Sequence, residues 1–136
     1  MTEDIPIKYI AGLDAYQDEA FKTAVFPTEV GSLYCALGVL GEAGEMGEVI
    51  LSIIDRAASD DPGFMTKDMK LIRSAVSKTA EAAKIVEVFK KKVRKKHLDL
   101  KPMPELTDDE RDRIRSEGGD GLWYAGALAT VTGWKL

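Results

Sequence analysis

Three glutamates spaced three residues apart, Glu42, Glu45 and Glu48, stand in a stretch with no positive charge between Lys22 and Arg56. The surrounding chain is apolar. Leu33-Tyr34-Cys35-Ala36-Leu37-Gly38-Val39-Leu40 leads into the acidic segment, and Val49-Ile50-Leu51 follows it. On a helix the three carboxylates descend as a slanted stripe, each about 60° from the next. Leu33, Leu37, Leu40, Gly44 and Leu51 share one side, while Val39, Met46, Val49 and Ile50 make most of the remaining circumference apolar. A helix apolar nearly all round is expected to be buried. No lysine or arginine stands one turn away to neutralise the glutamates, so buried carboxylates here call for partners from elsewhere or for a metal ion. A solvated acidic face is the plainer alternative.

A second acidic pair lies near the other end. Glu117-Gly118-Gly119-Asp120 sets two carboxylates at i and i+3, hence on one helix face, ahead of Leu122-Trp123-Tyr124-Ala125-Gly126-Ala127-Leu128. Tyr124 follows Asp120 by one turn. Facing the first acidic helix, this pair would gather four or five carboxylates around a small space. Oxygen-only ligands suit Mg²⁺, with Mn²⁺ as a substitute, rather than zinc or copper. Gly118, Gly119 and Gly121 each cost a helix interior about 0.8–1 kcal/mol relative to alanine, so this backbone is expected to be loosely wound or closely packed. Trp123 and Tyr124 read either as core residues or as a platform for a nucleotide base.

Helices must position these groups, since helical periodicity dominates and no run of alternating β-branched residues is present. The pattern predicts a first helix from about Leu13 to Phe26, stopped by Pro27, and a second from near Thr28, as N-cap, to about Arg56. Ser59-Asp60-Asp61-Pro62-Gly63 reads as a turn. A third helix is expected over about Thr66 to His97, then an irregular connection from Leu98 to Leu106 holding Pro102 and Pro104. Thr107-Asp108-Asp109-Glu110 is a capping box opening a fourth helix that runs toward Thr132, with Gly133 as its stop. Four helices with short links predict an all-α, four-helix-type bundle.

Composition narrows the classes. The chain has 136 residues, 45% hydrophobic and 31% charged, ordinary values for one folded domain and unlike disorder, a fibre or a membrane protein. A net charge of −4 makes nucleic acid an unexpected partner. The acidic start Met1-Thr2-Glu3-Asp4 has no signal-peptide pattern, and one cysteine, Cys35, permits no internal disulfide. A cytoplasmic setting is expected. Cys35 is expected to be an inert packed thiol and His97, the one histidine, a surface residue.

Tyr16-Gln17 with Thr23-Ala24, Gly41-Glu42-Ala43-Gly44-Glu45, and Glu117-x-x-Asp120 followed by Leu122-Trp123-Tyr124 together resemble the MazG-like all-α nucleoside triphosphate pyrophosphohydrolases. The resemblance covers roughly residues 14–55 and 107–133. It implies a single helical domain over residues 1–136, with about 59–106 inserted relative to compact members, and assembly as a homo-oligomer, a dimer or tetramer. It also implies Mg²⁺-dependent cleavage of a nucleoside triphosphate, by preference a deoxynucleotide, between the α- and β-phosphates, in nucleotide-pool cleansing or recycling. Carried over by motif, Glu42, Glu45, Glu117 and Asp120 would be metal ligands. Glu48 falls where many members keep a further acidic residue, and Glu48 or Glu45 would serve as general base.

A triphosphate carries about four negative charges, so carboxylates can hold it only through bridging cations. Lys84, Lys90, Lys91, Lys92, Arg94, Lys95 and Lys96 form a basic cluster in an otherwise acidic chain. It reads as a solvated helix end complementing the dipole, or as the place from which Lys84 or a residue near Lys91 reaches the phosphates. The rival to the enzyme is a non-catalytic helical module whose acidic helix docks a basic partner or holds a metal or nucleotide without turnover.

Overall fold

The structure is a computed structural model that describes residues 7–134. Among these residues there are four α-helices and no strand: α1 (Ile7–Lys22), α2 (Gly31–Asp60), α3 (Lys67–Arg94) and α4 (Asp108–Thr132). The chain divides into two compact units, Met1–Met103 and Pro104–Leu136. The first unit contains α1 to α3 and the second contains α4.

α1 begins earlier than its apolar pattern predicts and ends earlier too. Thr23 turns its hydroxyl onto the Ala20 carbonyl at 2.8 Å, and Pro27 disfavours a helical Phe26, so the last turn is lost. Phe26 instead stacks on Tyr34, ring centres 4.6 Å apart. Thr28 does not cap α2. It opens a short 3-10 turn, Thr28–Val30, and α2 starts at Gly31 with no side-chain cap. At its far end α2 runs one turn beyond Arg56, because only Pro62 forbids its continuation. Asp61 then adopts an extended backbone, and its carboxylate accepts the Gly63 N–H at 2.9 Å.

Thr66 caps α3 by accepting the Met69 N–H at 3.1 Å. The basic residues Lys91, Lys92 and Arg94 fill the last turn of α3, complementing the helix dipole. Lys96 sits at φ 57°, and the His97 and Lys96 N–H groups bond back to the Lys92 and Val93 carbonyls, a Schellman stop made without glycine. The connection that follows is irregular, as expected, and is tied down where the Met103 N–H bonds the Glu29 carbonyl at 2.8 Å. In α4 the predicted capping box is complete: Thr107 Oγ1 accepts the Glu110 N–H and Glu110 Oε2 accepts the Thr107 N–H. Gly133 ends the helix at φ 81°.

Within the larger unit, α3 returns antiparallel along α2, the one extended helix pairing among its described residues. Gly38 of α2 meets Lys90 of α3, Gly41 meets Glu87, Gly44 meets Ala83, and Gly47 meets Ala80 and Val76. Val30, Gly41, Gly44, Ile54, Ala80, Ala83 and Val93 are buried in this unit. The face of α2 expected from Leu33, Leu37, Gly44 and Leu51 is the covered one, except that Leu40 is exposed. Residues 59–106, read as an insertion, thus include the helix against which α2 packs.

Two burial expectations do not hold, and one of the two readings of Trp123 and Tyr124 falls away. α2 is covered on one side only: Val39, Met46 and Val49 are exposed, because a single partner helix shields a single stripe. Cys35 is an exposed thiol rather than a packed one, since it lies off that stripe. Trp123 and Tyr124 are each 67% exposed and form no core of their unit. His97 is at the surface, as expected. No helix among the described residues is long and apolar enough to cross a membrane.

Candidate functional site in the α2–α3 groove

The glycine side of α2 lets α3 approach closely, and an open groove of about 230 Å³ follows the seam. Glu45 and Glu48 line it from α2, and Lys84, Glu87, Val88 and Lys91 line it from α3. The helical stripe explains which glutamates enter. Glu48 lies beside the covered face, Glu45 about 60° further round, and Glu42 about 60° further again, exposed and outside the lining. The groove therefore joins Glu45 and Glu48 with two of the lysines singled out from sequence.

Lys84 Nζ stands 2.9 Å from Glu48 Oε1 across the two helices. This contact holds the Lys84 ammonium above its ordinary pKa, with a smaller push from Glu81. The partner that α2 lacks within itself thus comes from α3, while both side chains stay substantially solvated. Lys91 lines the same groove two turns further along α3 and is exposed.

Sequence reasoning missed Glu87. Its carboxylate lies where a side chain at position 41 would begin, so Gly41 is what admits it. Lys90 Nζ is 2.8 Å from Glu87 Oε1, and both side chains are largely buried. That oxygen makes no well-directed hydrogen bond, so proximity of opposite charge is what pairs them. The Glu87 carboxylate raises the Lys90 pKa against the opposing effect of burial. The available signal was Ala80, Ala83 and Glu87 recurring on one face of α3, opposite the glycines of α2.

Glu117 and Asp120 sit on α4 in the second unit, both exposed on an unbroken helix. The helix is neither unwound nor closely packed at its glycines: β-carbons at Gly118, Gly119 and Gly121 would meet nothing within 4 Å. Trp123 and Tyr124 touch edge to face, ring centres 5.0 Å apart.

The groove holds the carboxylates of Glu45, Glu48 and Glu87 beside the ammonium groups of Lys84 and Lys91. Glu45 and Glu48 offer carboxylate oxygens, and Mg²⁺ commonly takes one or two carboxylates together with waters and substrate phosphates. Among the described residues no three His, Cys, Asp or Glu side chains converge on one point, so the chain offers a partial set of donors. No family model, curated protein or solved structure matches the chain.

Proposed function

We propose that this chain is a subunit of a Mg²⁺-dependent nucleotide pyrophosphohydrolase of the MazG-like type, converting a (deoxy)nucleoside triphosphate to the monophosphate and pyrophosphate. The observation that carries the reading is the pair of acidic motifs in order, each on an unbroken helix: Glu42-x-x-Glu45 on α2 and Glu117-x-x-Asp120 on α4, followed by Leu122-Trp123-Tyr124. Glu42, Glu45, Glu117 and Asp120 are the proposed metal ligands. Bound Mg²⁺ would polarise the α-phosphate and lower the pKa of a water. Glu48, or Glu45 beside it, accepts the proton of the attacking water as the bond from the α-phosphorus to the bridging oxygen breaks. Lys84 and Lys91 supply positive charge to the phosphates, and Trp123 and Tyr124 offer faces for the base.

Assembly as a homo-oligomer in a four-helix-type bundle belongs to the same proposal. It is supported by the exposed apolar side chains of α2, α3 and α4, among them Val39, Val49, Ile85 and Leu122. These same surfaces favour the second reading, a non-catalytic interaction module. The reaction separates the two. Purified protein is incubated with each common NTP and dNTP plus Mg²⁺, and pyrophosphate is resolved from orthophosphate. Pyrophosphate with the matching monophosphate, lost in Glu45→Gln, is the expected result. Orthophosphate with a diphosphate sinks α–β cleavage, and no turnover by folded protein hands the lead to the interaction module. Stabilisation by millimolar Mg²⁺ or Mn²⁺ is a second discriminator, because a docking face gains little from the metal.

A further inference from the structure

We propose that α3 pairs antiparallel with α3 of a second copy of this chain, along the face it turns away from α2. The inference rests on the proposed homo-oligomeric assembly and on neither the metal nor the nucleotide.

The outer face of α3 has its own period. Leu71, Ala75, Ala82, Ile85 and Phe89 follow a seven-residue repeat that Lys78 completes, and Asp68 and Lys92 extend it by one step at each end. All of them are exposed, Leu71 and Ile85 at 62%. Arg73, Ala80 and Glu87, which meet α2, stand on the opposite side of the helix. The strip from Asp68 to Lys92 is about 36 Å long, and an apolar strip of this spacing is what a second helix covers by inserting knobs into holes. The outer face of α2 is committed differently, since it carries Glu42, a proposed metal ligand. Lys84 and Lys91 line the groove and lie off the α3 strip, so the pairing leaves both outside the interface.

Charge complementarity identifies the second helix as another α3. With a two-fold axis level with Ala80, Asp68 meets the partner's Lys92 and Leu71 meets the partner's Phe89. Ala75 then meets the partner's Ile85, Lys78 meets the partner's Ala82, and each pair occurs twice. Opposite charges close both ends, and large residues cover small ones between them. Lys78 lays its stem over an alanine and brings its ammonium toward the partner's Glu81. Lys92 already leans over the Phe89 ring, 5.7 Å from its centre, so its charge is held at the end of the strip. Sliding by one heptad sets Asp68 against the partner's Ile85, or Lys78 against the partner's Phe89. A parallel pair sets Asp68, Lys78 and Lys92 each against its own counterpart, like charge against like. Exposed ion pairs are weak in themselves. Here they select register and direction, while the apolar layers supply the buried area.

The test uses the full chain. Sedimentation equilibrium measures self-association of wild type, Ile85→Asp and Val49→Asp, and circular dichroism verifies the fold of each. Wild type is expected to self-associate. Ile85→Asp should raise the dissociation constant about 100-fold or more, because each copy would bury a charge, whereas Val49→Asp, on α2, should leave it nearly unchanged. Direction is read by cross-linking in a Cys35→Ser background. Asp68→Cys combined with Lys92→Cys should give a disulfide-linked dimer with oxidised glutathione, and neither single cysteine should. The two positions are too far apart along one helix to join within a chain. A single-cysteine variant that links as fast as the double, or a self-associating double variant that does not link, overturns the antiparallel register. Self-association broken by Val49→Asp and indifferent to Ile85→Asp keeps the assembly and removes α3 from its interface. Wild type that stays monomeric overturns the assembly and the pairing together, and a lowered thermal midpoint of Ile85→Asp would then assign the strip to another helix of the same chain.

Discussion

Glycine punctuates both acidic motifs, but its surroundings in the two are opposite. In α2 a β-carbon at Gly44 would fall on the Ala83 methyl, with the Cα atoms of Ala83 and Ala80 at 3.5 and 3.8 Å behind it. In α4 the β-carbons of Gly118, Gly119 and Gly121 would stand in open space. The first set is imposed by a neighbour within the chain: glycine on α2 facing alanine on α3 lets two backbones approach until the groove carboxylates and lysines are within reach. The second set has no such neighbour, and each glycine costs its helix about 0.8–1 kcal/mol relative to alanine. One residue type thus marks a packed seam in one helix and a bare face in the other.

The largest expected effect strikes the seam. Gly44→Val forces α3 away from α2, because the obstruction is the Ala83 methyl, which no side-chain rotation can move aside, and should destabilise the hairpin by about 1–3 kcal/mol. Urea unfolding followed by helical circular dichroism reads it as a lower midpoint. Gly41→Ala should cost less, since what it meets is the end of the Glu87 side chain, which can rotate away. An unchanged midpoint in Gly44→Val would show that the helices part freely at this level, and the contrast with α4 would collapse.

The α4 glycines should respond with the opposite sign. Gly118→Ala and Gly119→Ala each remove backbone freedom from the unfolded chain without meeting an obstruction, so each should stabilise the protein by about 0.5–1 kcal/mol. A loss of stability instead, together with a shift in sedimentation, would mean that a surface from outside the chain closes on this face in solution. That outcome would sharpen the comparison, because both glycine sets would then serve close approach, one inside the chain and one between chains.

How far the sequence was legible follows the same division. Local signals were readable: the Thr107 capping box, the start of α3 near Thr66, Gly133 as a stop and the side of α2 shared by Leu33, Leu37, Gly44 and Leu51 each depend on a few neighbouring residues. Pro27 and Pro62 bounded their helices, but the ends fell several residues away from the predicted ones, because proline forbids continuation without fixing where the last turn frays. Burial was misjudged for Cys35, Val39, Met46 and Val49. Apolar periodicity says which side of a helix can be covered, and the number of helices present to cover it is a tertiary fact. The spacing of Glu45 and Glu48 showed them on adjoining strips of one helix, and both line the groove. Their meeting with Lys84, and the arrival of Glu87 over Gly41, depend on the register of α3 against α2, which no local pattern encodes.

The smallest expected effect compares an ion pair across helices with one inside a helix. Arg73 binds Asp55 from α3 to α2, whereas Arg115 and Asp112 pair within α4 at 2.7 Å, three residues apart. Hydrogen bonds from Arg73 hold the Asp55 carboxyl below its ordinary pKa of 3.8 and outweigh the opposing desolvation. A carboxyl with a depressed folded-state pKa contributes stability that is fully present above the unfolded value and is lost as pH falls through the folded one. The difference in thermal midpoint between wild type and Arg73→Met should therefore be constant from pH 5 to 7 and shrink as pH drops below about 3.8. Raised salt should also shrink it, since both side chains are solvated. Arg115→Met should change the midpoint less at any pH, because its pair ties one turn of one helix and joins nothing distant. A wild-type advantage over Arg73→Met that persists to pH 2.5 would show that the ionised Asp55 carboxylate is not what Arg73 acts through, and the pairing charge would then add nothing to the seam.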